Sequence, residues 1–508
     1  MAQAQARPPL PSPGICERAL NARDPRFDGI FFVGITSTRV YCRPTCPARV
    51  SYTNRRRFFD SAAAAERAGF RPCLRCRPEL APGRAPMDAV TRLARVAADR
   101  IGAGALNGHS VAELAGELGV SERHLRRALE REVGVSPVEL AQTHRLLFAK
   151  RLLADTTLSV TSIAFASGFQ SLRRFNSVFR ERYGLRPGDL RRPRGSRLRP
   201  ARIPEPVALN ELMPLTLAYR PPLAWEPLCA QLAGEALPGV ERIEPGRYLR
   251  TVALHGRQGV LLIEHAPPSR NGTGPQPRSQ LIARVSASLL PVLMPLLARL
   301  RQLFDLDAEP LVVDAHLAQG GLGPLVRRRP GVRMLGALEG FEAALRTLLL
   351  DGATMPGARD ELAGRVIAAL GEPFGTGTPG LSHLAPDSAR VAEAGATRLA
   401  ALGVEPRRAA AIAAIARACA EDTLRLQPGS PPAATRRALV EIGSIEDRLA
   451  TIIVMRALHW PDAFPASDPS LQRAARAASE QSLRARAEQW RPWRAYAALH
   501  LSLQNAER

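Results

Sequence analysis

Hydrophobic residues change their spacing along the chain, and the changes divide it into regions. Residues 27–46, FDGIFFVGITSTRVYCRPTC, are rich in aromatic and β-branched side chains and predict short strands joined by turns. Helical spacing begins at Ala62 and dominates from Asp88 onward. Strand-like runs such as YLRTVALHG and GVLLIEHA return within residues 208–305, and Ala- and Leu-rich helices follow. The pattern predicts a mostly α protein made of several domains.

An internal repeat occupies residues 111–190. The stretch VAELAGELGVSERHLRRALEREVGVSPVEL is followed by VTSIAFASGFQSLRRFNSVFRERYGLRPGDL, with corresponding apolar, Gly and Pro positions. Each copy predicts a helix, a turn at Gly119 or Gly168, and a second helix, which is typical of a helix-turn-helix. Phe175 and Phe179 are four residues apart, so we expect them on the core face of their helix.

The length and charge of the chain set further limits. At 508 residues it is too long for one core and long enough for three or four domains. Its formal charge of +23 comes mainly from arginine and favours an anionic partner, either nucleic acid or an acidic membrane surface. Residues 193–207, dense in Arg and Pro, predict a basic linker that lies against phosphates.

The sequence shows no pattern typical of a targeting or membrane segment. No apolar run approaches the ~20 residues that cross a bilayer. The opening stretch MAQAQARPPLPSPG lacks the apolar core of a signal peptide. We therefore expect a disordered tail over residues 1–14 and a soluble, cytoplasmic protein.

Two close pairs of cysteines stand out, Cys42 with Cys46 and Cys73 with Cys76. In a reducing compartment such pairs indicate metal binding or catalysis rather than disulfides, and four thiolates suit tetrahedral Zn²⁺. On spacing alone, a purely structural zinc site is the more common case. Zinc also keeps a thiol ionised at neutral pH, so a nucleophilic sulfur is the second interpretation.

The sequence around these cysteines resembles a known family. FFVGITSTRVYCRPTCPAR, followed by FFDSAAAAERAGFRPCLRCRPEL, resembles the N-terminal domain of the Ada methylphosphotriester repair proteins. The resemblance implies a small α+β domain, residues 15–86, that holds one Zn²⁺. Cys42 is then the methyl acceptor, and the other three ligands are Cys46, Cys73 and Cys76. Four arginines flank the ligands in the sequence: Arg43, Arg71, Arg75 and Arg77. They are candidates for phosphate contacts, and the alternative is that they only supply solubilising charge.

The second copy of the repeat, SVTSIAFASGFQSLRRFNSVFRERYGLRPGDLR, resembles the second helix-turn-helix of AraC-family regulators. This implies an all-α double helix-turn-helix module over residues 87–192, in which the second helix of each copy enters the major groove. The side chains free to reach bases and phosphates are Arg123, His124, Arg126 and Arg127 in the first copy and Ser171, Arg173, Arg174 and Asn176 in the second.

The C-terminal half resembles AlkA-type 3-methyladenine DNA glycosylases. LTLAYRPPLAWEPLCAQLAGEALPGVERIEPGRYLRTVAL resembles their small N-terminal α+β domain, expected over residues 208–305. MRALHWPDAFPASDPSLQRA and QWRPWRAYAALHL resemble their all-α helix-hairpin-helix core, expected over residues 306–508.

The same resemblance implies the residues of a glycosylase site. Asp468 takes the place of the catalytic carboxylate, which stabilises positive charge on the sugar. Aromatic candidates for the base pocket are Trp490, Trp493 and Tyr496. The alternatives are that Asp468 only caps a helix and that the aromatic residues pack in the core.

The hairpin of this region departs from the family pattern. Members usually read Leu-Pro-Gly-Ile-Gly and then Pro-Trp-Thr-Ala, because glycines let backbone amides approach a DNA phosphate. Gly443 and Ser444 stay candidates for that contact, but Glu446 and Asp447 add negative charge and Arg448 replaces a pocket tryptophan. Near the expected DNA wedge, the usual Leu-Gly-Gln-Gln is replaced by Leu350, Asp351, Gly352 and Ala353.

The sequence therefore predicts an Ada–AlkA fusion that responds to methylated double-stranded DNA. We expect a suicidal methylphosphotriester methyltransferase coupled to transcription activation, with RNA polymerase as a further partner, and a type II-like 3-methyladenine glycosylase. The main rival is a damage-sensing regulator whose glycosylase domain is inactive. A more distant rival is a zinc-stabilised DNA-binding protein that transfers no methyl group.

Overall fold

The computed structural model describes residues 10–48, 55–82, 92–190, 212–265, 279–351 and 356–505. The predicted basic linker, most of the predicted N-terminal tail, and Gly352 and Ala353 lie outside these ranges. Within them the chain is mostly helical and multidomain, as the sequence predicts.

The first unit is a small α+β domain. Two short helices, α1 and α2, accompany four strands, β1–β4, which are ordered β3-β1-β2-β4 in the sheet. β1 is antiparallel to β2 and β3, whereas β2 and β4 are parallel. Aromatic side chains pack in two buried clusters, one with Phe32, Tyr41, Phe59 and Phe70 and one around Phe31. The bounds are α1 Pro13–Asn21, β1 Phe32–Ile35, β2 Val40–Cys42, β3 Arg56–Phe59, α2 Ala62–Arg67 and β4 Arg71–Pro72.

The second unit consists of six helices and confirms the predicted repeat. Gly119 and Gly168 adopt positive φ of 68° and 81° between the helices of each copy, a conformation that glycine reaches without steric cost. The side chains of Ser121 and Ser171 cap the second helix of each copy, because each accepts a hydrogen bond from a backbone N–H in the first turn. The helices are α3 Arg92–Gly102, α4 Val111–Glu117, α5 Glu122–Val133, α6 Pro137–Asp155, α7 Val160–Ala166 and α8 Leu172–Tyr183.

The third unit is an antiparallel sheet of five strands ordered β5-β9-β8-β7-β6, with two helices. Its core is continuous with that of the second helix-turn-helix, since one hydrophobic cluster contains both Phe175 and Leu261. The two units therefore pack against each other. The bounds are β5 Met213–Ala218, α9 Trp225–Gly234, β6 Glu241–Glu244, β7 Arg247–Leu254, β8 Arg257–His265, β9 Gln280–Val285 and α10 Leu293–Leu303.

The last unit is built of helices α11–α21 with one two-stranded ribbon, β10 and β11. Helices α17 and α18 form a hairpin, and α19 begins at the predicted catalytic region. The helices are α11 Pro310–Leu317, α12 Gly323–Arg328, α13 Gly340–Leu350, α14 Pro356–Leu370, α15 Ser388–Ala401, α16 Pro406–Ala420, α17 Pro432–Gly443, α18 Asp447–Ala457, α19 Pro469–Ala474, α20 Glu480–Ala487 and α21 Arg494–Asn505, and the strands are β10 Glu372–Pro373 and β11 His383–Leu384.

Across the described ranges, every helix is too short or too polar to pass through a bilayer.

Buried charges connect the third and fourth units. Arg250 of β7 donates to Glu342 of α13 at 2.7 Å, and Arg346 of α13 pairs with Glu241 of β6 at 2.7 Å. All four side chains are almost fully buried. A buried charge left without its partner is costly, so this network fixes the sheet against the helical unit.

Candidate metal centre, DNA-reading helices and glycosylase site

The four paired cysteines meet at one point of the first domain. Cys42 ends β2 and Cys73 follows β4, and these two strands are neighbours in the sheet. The four sulfur atoms all lie within 4.8 Å of one another. Zinc with bonds of about 2.3 Å separates tetrahedral sulfur ligands by roughly 3.8 Å, so this cluster fits one Zn²⁺.

The electrostatics of the cluster also suit a cation. Backbone N–H groups of Arg43 and Arg75 donate to the sulfurs of Cys76 and Cys73 at 3.3 and 3.4 Å. The hydrogen bond with Cys46 raises the pKa of Cys42, whereas the hydrogen bond with Cys42 lowers the pKa of Cys73. Four crowded thiols cannot all ionise unless a cation balances their charge, which Zn²⁺ does.

Burial alone does not single out an acceptor sulfur. Cys42, Cys73 and Cys76 are 5, 7 and 8% exposed, and Cys46 is 1% exposed. The assignment of Cys42 as acceptor therefore stays a prediction based on its place in the motif.

The four candidate arginines around the cluster have different surroundings. Arg75 is exposed and Arg71 is half-buried. Arg43 is paired with Asp28 and donates to the Cys76 carbonyl oxygen at 3.2 Å, and Arg77 is held by Glu79 and Asp155. A phosphate contact stays a prediction for all four, and Arg43 and Arg77 already carry carboxylate partners within the protein.

The second helices of the two repeat copies, α5 and α8, present matching surfaces. Residues 121–130 and 171–180 have the same order of exposed, half-buried and buried positions. Phe175 and Phe179 are fully buried, which confirms their predicted core position. Among the candidate contact residues, Arg126 and Asn176 are half-buried. The others are exposed: Arg123, His124, Arg127, Ser171, Arg173 and Arg174.

The carboxylate of Asp468 caps α19. Its Oδ1 accepts hydrogen bonds from the Ser470 backbone at 2.7 Å, from the Ser470 hydroxyl at 2.6 Å and from the Leu471 backbone at 3.4 Å. The capping alternative is therefore present in the structure. These three bonds all use Oδ1 and Asp468 is only half-buried, so a catalytic role for this carboxylate stays a prediction beside its capping role.

The aromatic candidates separate into two groups. Trp490 is 0% exposed and its indole N–H donates to the Gly320 carbonyl oxygen at 2.8 Å. Tyr496 is 2% exposed and donates to Asp305 at 2.6 Å. The core-packing alternative is thus the one found for these two residues, since neither presents a face to a base. Trp493 is half-buried and packs edge-on against His316, so a pocket role stays a prediction for Trp493.

The hairpin between α17 and α18 is formed despite its altered sequence. Ser444 is exposed with φ +49°, a left-handed conformation that glycine adopts more easily. A Cβ on Gly443 would lie 2.9 Å from Ile415 Cδ1, so a larger residue there would require the Ile415 side chain on α16 to shift. Contacts of Gly443 and Ser444 with phosphate stay predictions. Asp447 is paired with Arg436, and the Glu446 carboxylate lies 3.6 Å from Arg448 Nε, although the Glu446 side chain is 73% exposed.

Sequence reasoning missed two partnerships. Asp351 and Arg448 appear in the sequence only as separate departures from the family pattern, yet their side chains pair at 2.8 Å. Lys150 was not singled out, although it is the only lysine of the chain, and it bonds Glu79 beside the metal cluster. The scarcity of lysine was the signal available for the second partnership.

Three family models match the chain: the metal-binding domain of Ada over residues 15–79, a helix-turn-helix domain over 114–193 and the AlkA N-terminal domain over 214–339. A protein of Mycobacterium tuberculosis, described as a probable bifunctional transcriptional activator/DNA repair enzyme AlkA, is 35% identical over 96% of this chain and 95% of its own.

Two Escherichia coli proteins match parts of the chain. DNA-3-methyladenine glycosylase 2 is 30% identical over 56% of this chain and 95% of its own. The bifunctional transcriptional activator/DNA repair enzyme Ada is 32% identical over 29% of this chain and 40% of its own. The chain therefore belongs to the family of bifunctional transcriptional activator/DNA repair proteins that join an Ada-type zinc domain and a helix-turn-helix module to an AlkA-type region.

Proposed function

We propose that this protein senses and repairs methylation damage in double-stranded DNA. Its zinc cysteine takes methyl groups from DNA methylphosphotriesters, its helix-turn-helix pair activates transcription, and its C-terminal half excises alkylated bases. The observation that carries the proposal is the four-sulfur cluster that includes Cys42.

The methyl transfer is a single displacement. The Cys42 sulfur attacks the methyl carbon, a C–S bond forms, and the methyl C–O bond breaks with its electron pair moving to the phosphate oxygen. Bound zinc would keep the sulfur ionised at neutral pH. The product is a thioether and an ordinary phosphodiester, so each protein molecule reacts once. Because the thioether is neutral, one negative charge disappears from the cluster and its repulsion of DNA falls.

A labelled-methyl assay tests this step. Incubation with methylphosphotriester DNA should place one methyl group on Cys42, located by peptide mass mapping of the intact wild-type protein. Cys42→Ala should abolish the transfer, and the matched variant Cys229→Ala, which removes a buried thiol outside the cluster, should keep it. Methyl found on another residue of the wild type would assign the acceptor elsewhere.

Transcription control follows from the two matching helices. Exposed arginines on α5 and α8 are suited to the major groove and its phosphates. Helix α6 contributes to the hydrophobic core of both copies, through Leu140 in the first and Leu146 in the second. Activation at promoters implies contact with RNA polymerase and a location in the cytoplasm, and both belong to this proposal.

Base excision requires one carboxylate near the sugar. An alkylated purine is already cationic and leaves readily, so Asp468 has only to stabilise the positive sugar and position a water. The base must also leave the stack, for which Trp493 is the half-exposed aromatic candidate. Gly443 and Ser444 would then bind a phosphate of the DNA backbone at the hairpin.

A second candidate function is a regulator whose glycosylase domain is inactive. The Glu446 carboxylate at the hairpin favours it, because this group is 73% exposed despite its ion pair with Arg448 at 3.6 Å, and negative charge there opposes a DNA phosphate. Release of free 3-methyladenine from methylated DNA by the intact protein separates the two functions. Release that is lost in Asp468→Asn supports the enzyme, whereas no release by the wild type supports the regulator.

A further inference from the structure

A buried arginine links the first domain, which contains the four-cysteine cluster, to the AlkA-type region. Arg220 lies just after β5, and its Nε donates to the Asp28 carbonyl oxygen at 3.1 Å. Its Nη1 donates to the Asp307 carbonyl oxygen at 2.7 Å, and the residue is 1% exposed. A guanidinium cut off from water needs such acceptors, so Arg220 links two parts of the chain that are far apart in sequence.

The backbone of the first domain comes very close at this contact. Gly29 adopts φ +77°, and a Cβ there would lie 2.1 Å from the Pro82 carbonyl oxygen and 3.4 Å from Arg220 Nη2. Only a glycine therefore fits beside the buried guanidinium. Within the AlkA-type region, Arg333 donates to the Arg220 carbonyl oxygen at 2.5 Å and so positions the backbone of that residue.

Asp28 also connects Arg220 to the cysteine cluster. Its carboxylate accepts from Arg43 Nε at 2.7 Å, and Arg43 Nη1 donates to the Cys76 carbonyl oxygen at 3.2 Å. Arg43 directly follows Cys42 in the chain. The proposed methyl acceptor is thus connected to the AlkA-type region through Arg43, Asp28 and Arg220.

Helix α6 makes a second connection between the same two parts. Arg77 of the first domain pairs with Asp155 on α6 at 2.5 Å, and Arg151 on α6 donates to the Thr216 carbonyl oxygen of β5. Arg77 and Arg151 are both buried. The first domain, α6 and the AlkA-type region are therefore joined by buried polar contacts at more than one point.

Both of the joined parts have proposed contacts with DNA. Methyl transfer removes one negative charge from the cysteine cluster, so the first domain should bind DNA more strongly afterwards. When two DNA-binding parts are connected, binding of one makes binding of the other intramolecular, provided that both reach the same duplex. DNA bound by the methylated domain would then be presented to the glycosylase site at a high effective concentration.

We propose that methylation of Cys42 stimulates base excision on the same DNA molecule, and that Arg220 is the positioning residue that couples the two activities. This inference rests on the proposed methyl-transfer and base-excision functions. In excision of a cationic 7-methylguanine, the C1′–N9 bond breaks with its electron pair moving to the base, and water adds to C1′ and releases a proton. The methyl group on Cys42 takes no part in that step and acts through DNA binding alone.

Base release by methylated and unmethylated full-length protein tests the proposal. Zinc-loaded protein is treated with a short methylphosphotriester oligonucleotide, or with the same oligonucleotide lacking the methyl group, and is then separated from it. Both preparations receive a duplex with one 7-methylguanine, at a concentration well below the dissociation constant of the unmethylated protein. The methylated preparation should release the base about tenfold faster, as expected when a unit charge close to DNA is removed. The two rates should agree at saturating DNA. Equal rates at both concentrations overturn the inference.

Variants of Arg220 test the coupling. Each is measured as the ratio of methylated to unmethylated release rates, which does not depend on the fraction of folded enzyme, and DNA affinity is measured beside it by fluorescence anisotropy. Arg220→Met should gain DNA affinity on methylation as the wild type does, yet its release ratio should fall toward one. Arg220→Lys, which keeps a charged donor, should recover part of the ratio. A wild-type ratio in a folded Arg220→Met protein would show that this residue does not couple the two activities.

The matched control is Arg299→Met. Arg299 likewise donates to a carbonyl oxygen, that of Leu338 at 3.1 Å, but this contact lies within the AlkA-type region. Its release ratio should equal that of the wild type. Absence of 7-methylguanine release from every preparation contradicts the base-excision function, and absence of methyl transfer to Cys42 contradicts the sensor function. Either result removes this inference as well, whereas equal rates with both activities present remove this inference alone.

Discussion

Lys150 donates a hydrogen bond to the carbonyl oxygen of Cys73 at 3.1 Å, although the two residues belong to different domains. Lys150 lies on α6, the helix that joins the two helix-turn-helix units, and Cys73 is one of the four metal-site cysteines. The same ammonium group bonds Glu79, and both side chains are almost fully buried. The metal centre is therefore attached to α6, the helix that lies between α5 and α8 in the chain.

Replacing this lysine should weaken the attachment. Lys150→Met keeps the length of the side chain but leaves Glu79 buried with Arg77 as its remaining partner. We expect a loss of about 3 kcal/mol in the free energy of unfolding, as for other broken buried pairs. Chemical denaturation of the zinc-loaded protein measures it.

The double variant Lys150→Met/Glu79→Gln provides the control. It removes the unpaired carboxylate as well, so at least half of the lost stability should return. A double variant as unstable as Lys150→Met would show that the carboxylate is not the source of the loss.

The capping role of Asp468 permits a clean test of its charge. Asn accepts the same N-cap hydrogen bonds as Asp, so Asp468→Asn should leave thermal unfolding nearly unchanged. Loss of the negative charge should lower 3-methyladenine release by ~10²-fold or more. Asp468→Ala should lose release and also about 1 kcal/mol of stability. If Asp468→Asn released bases at the wild-type rate, the catalytic assignment would be wrong.

Glu66 should give the first two domains a pH-dependent stability. Burial raises its pKa from 4.5 to about 7, although Arg182, the Tyr41 hydroxyl, Thr143 and Lys150 partly oppose the shift. Between these values the folded state binds a proton that the unfolded state does not. This contribution is full below about pH 4.5 and is lost as pH rises through about 7.

Glu66→Gln removes this titration, and its amide oxygen can still accept from Tyr41, which bonds Glu66 at 3.0 Å. The difference in unfolding free energy, wild type minus variant, should therefore fall between pH 6 and pH 8. Denaturation at several pH values measures it. Parallel profiles for the two proteins would contradict the raised pKa.

The two tryptophans near the C-terminus should respond differently to truncation. Trp490→Ala removes a fully buried indole and should lower the free energy of unfolding by about 3–5 kcal/mol, as for other truncations of buried aromatic residues. Trp493→Ala removes a half-buried side chain and should cost less stability while it lowers base release. Thermal unfolding and base release, measured on both variants, separate core packing from a pocket role. Full release by a folded Trp493→Ala protein would remove Trp493 from the pocket.

Local patterns were sufficient for much of the fold. The repeat spacing predicted both helix-turn-helix units because buried positions recur along one helix face, as at Phe175 and Phe179. Close spacing within Cys42/Cys46 and Cys73/Cys76 predicted the metal centre because two chelating pairs need only a short loop each. The capping alternative for Asp468 was also visible in the adjacent Pro and Ser.

Contacts between distant segments were decided by the tertiary structure. By itself the sequence determined the four-cysteine cluster and the candidates for DNA contact and catalysis, because these depend on residue type and short spacing. It did not determine that Arg43 and Arg77 are paired while Arg75 is exposed, or that Trp490 is buried while Trp493 is not. Nor did it join Asp351 to Arg448, 97 residues away, because a side chain's partner comes from whichever segment the packing brings beside it.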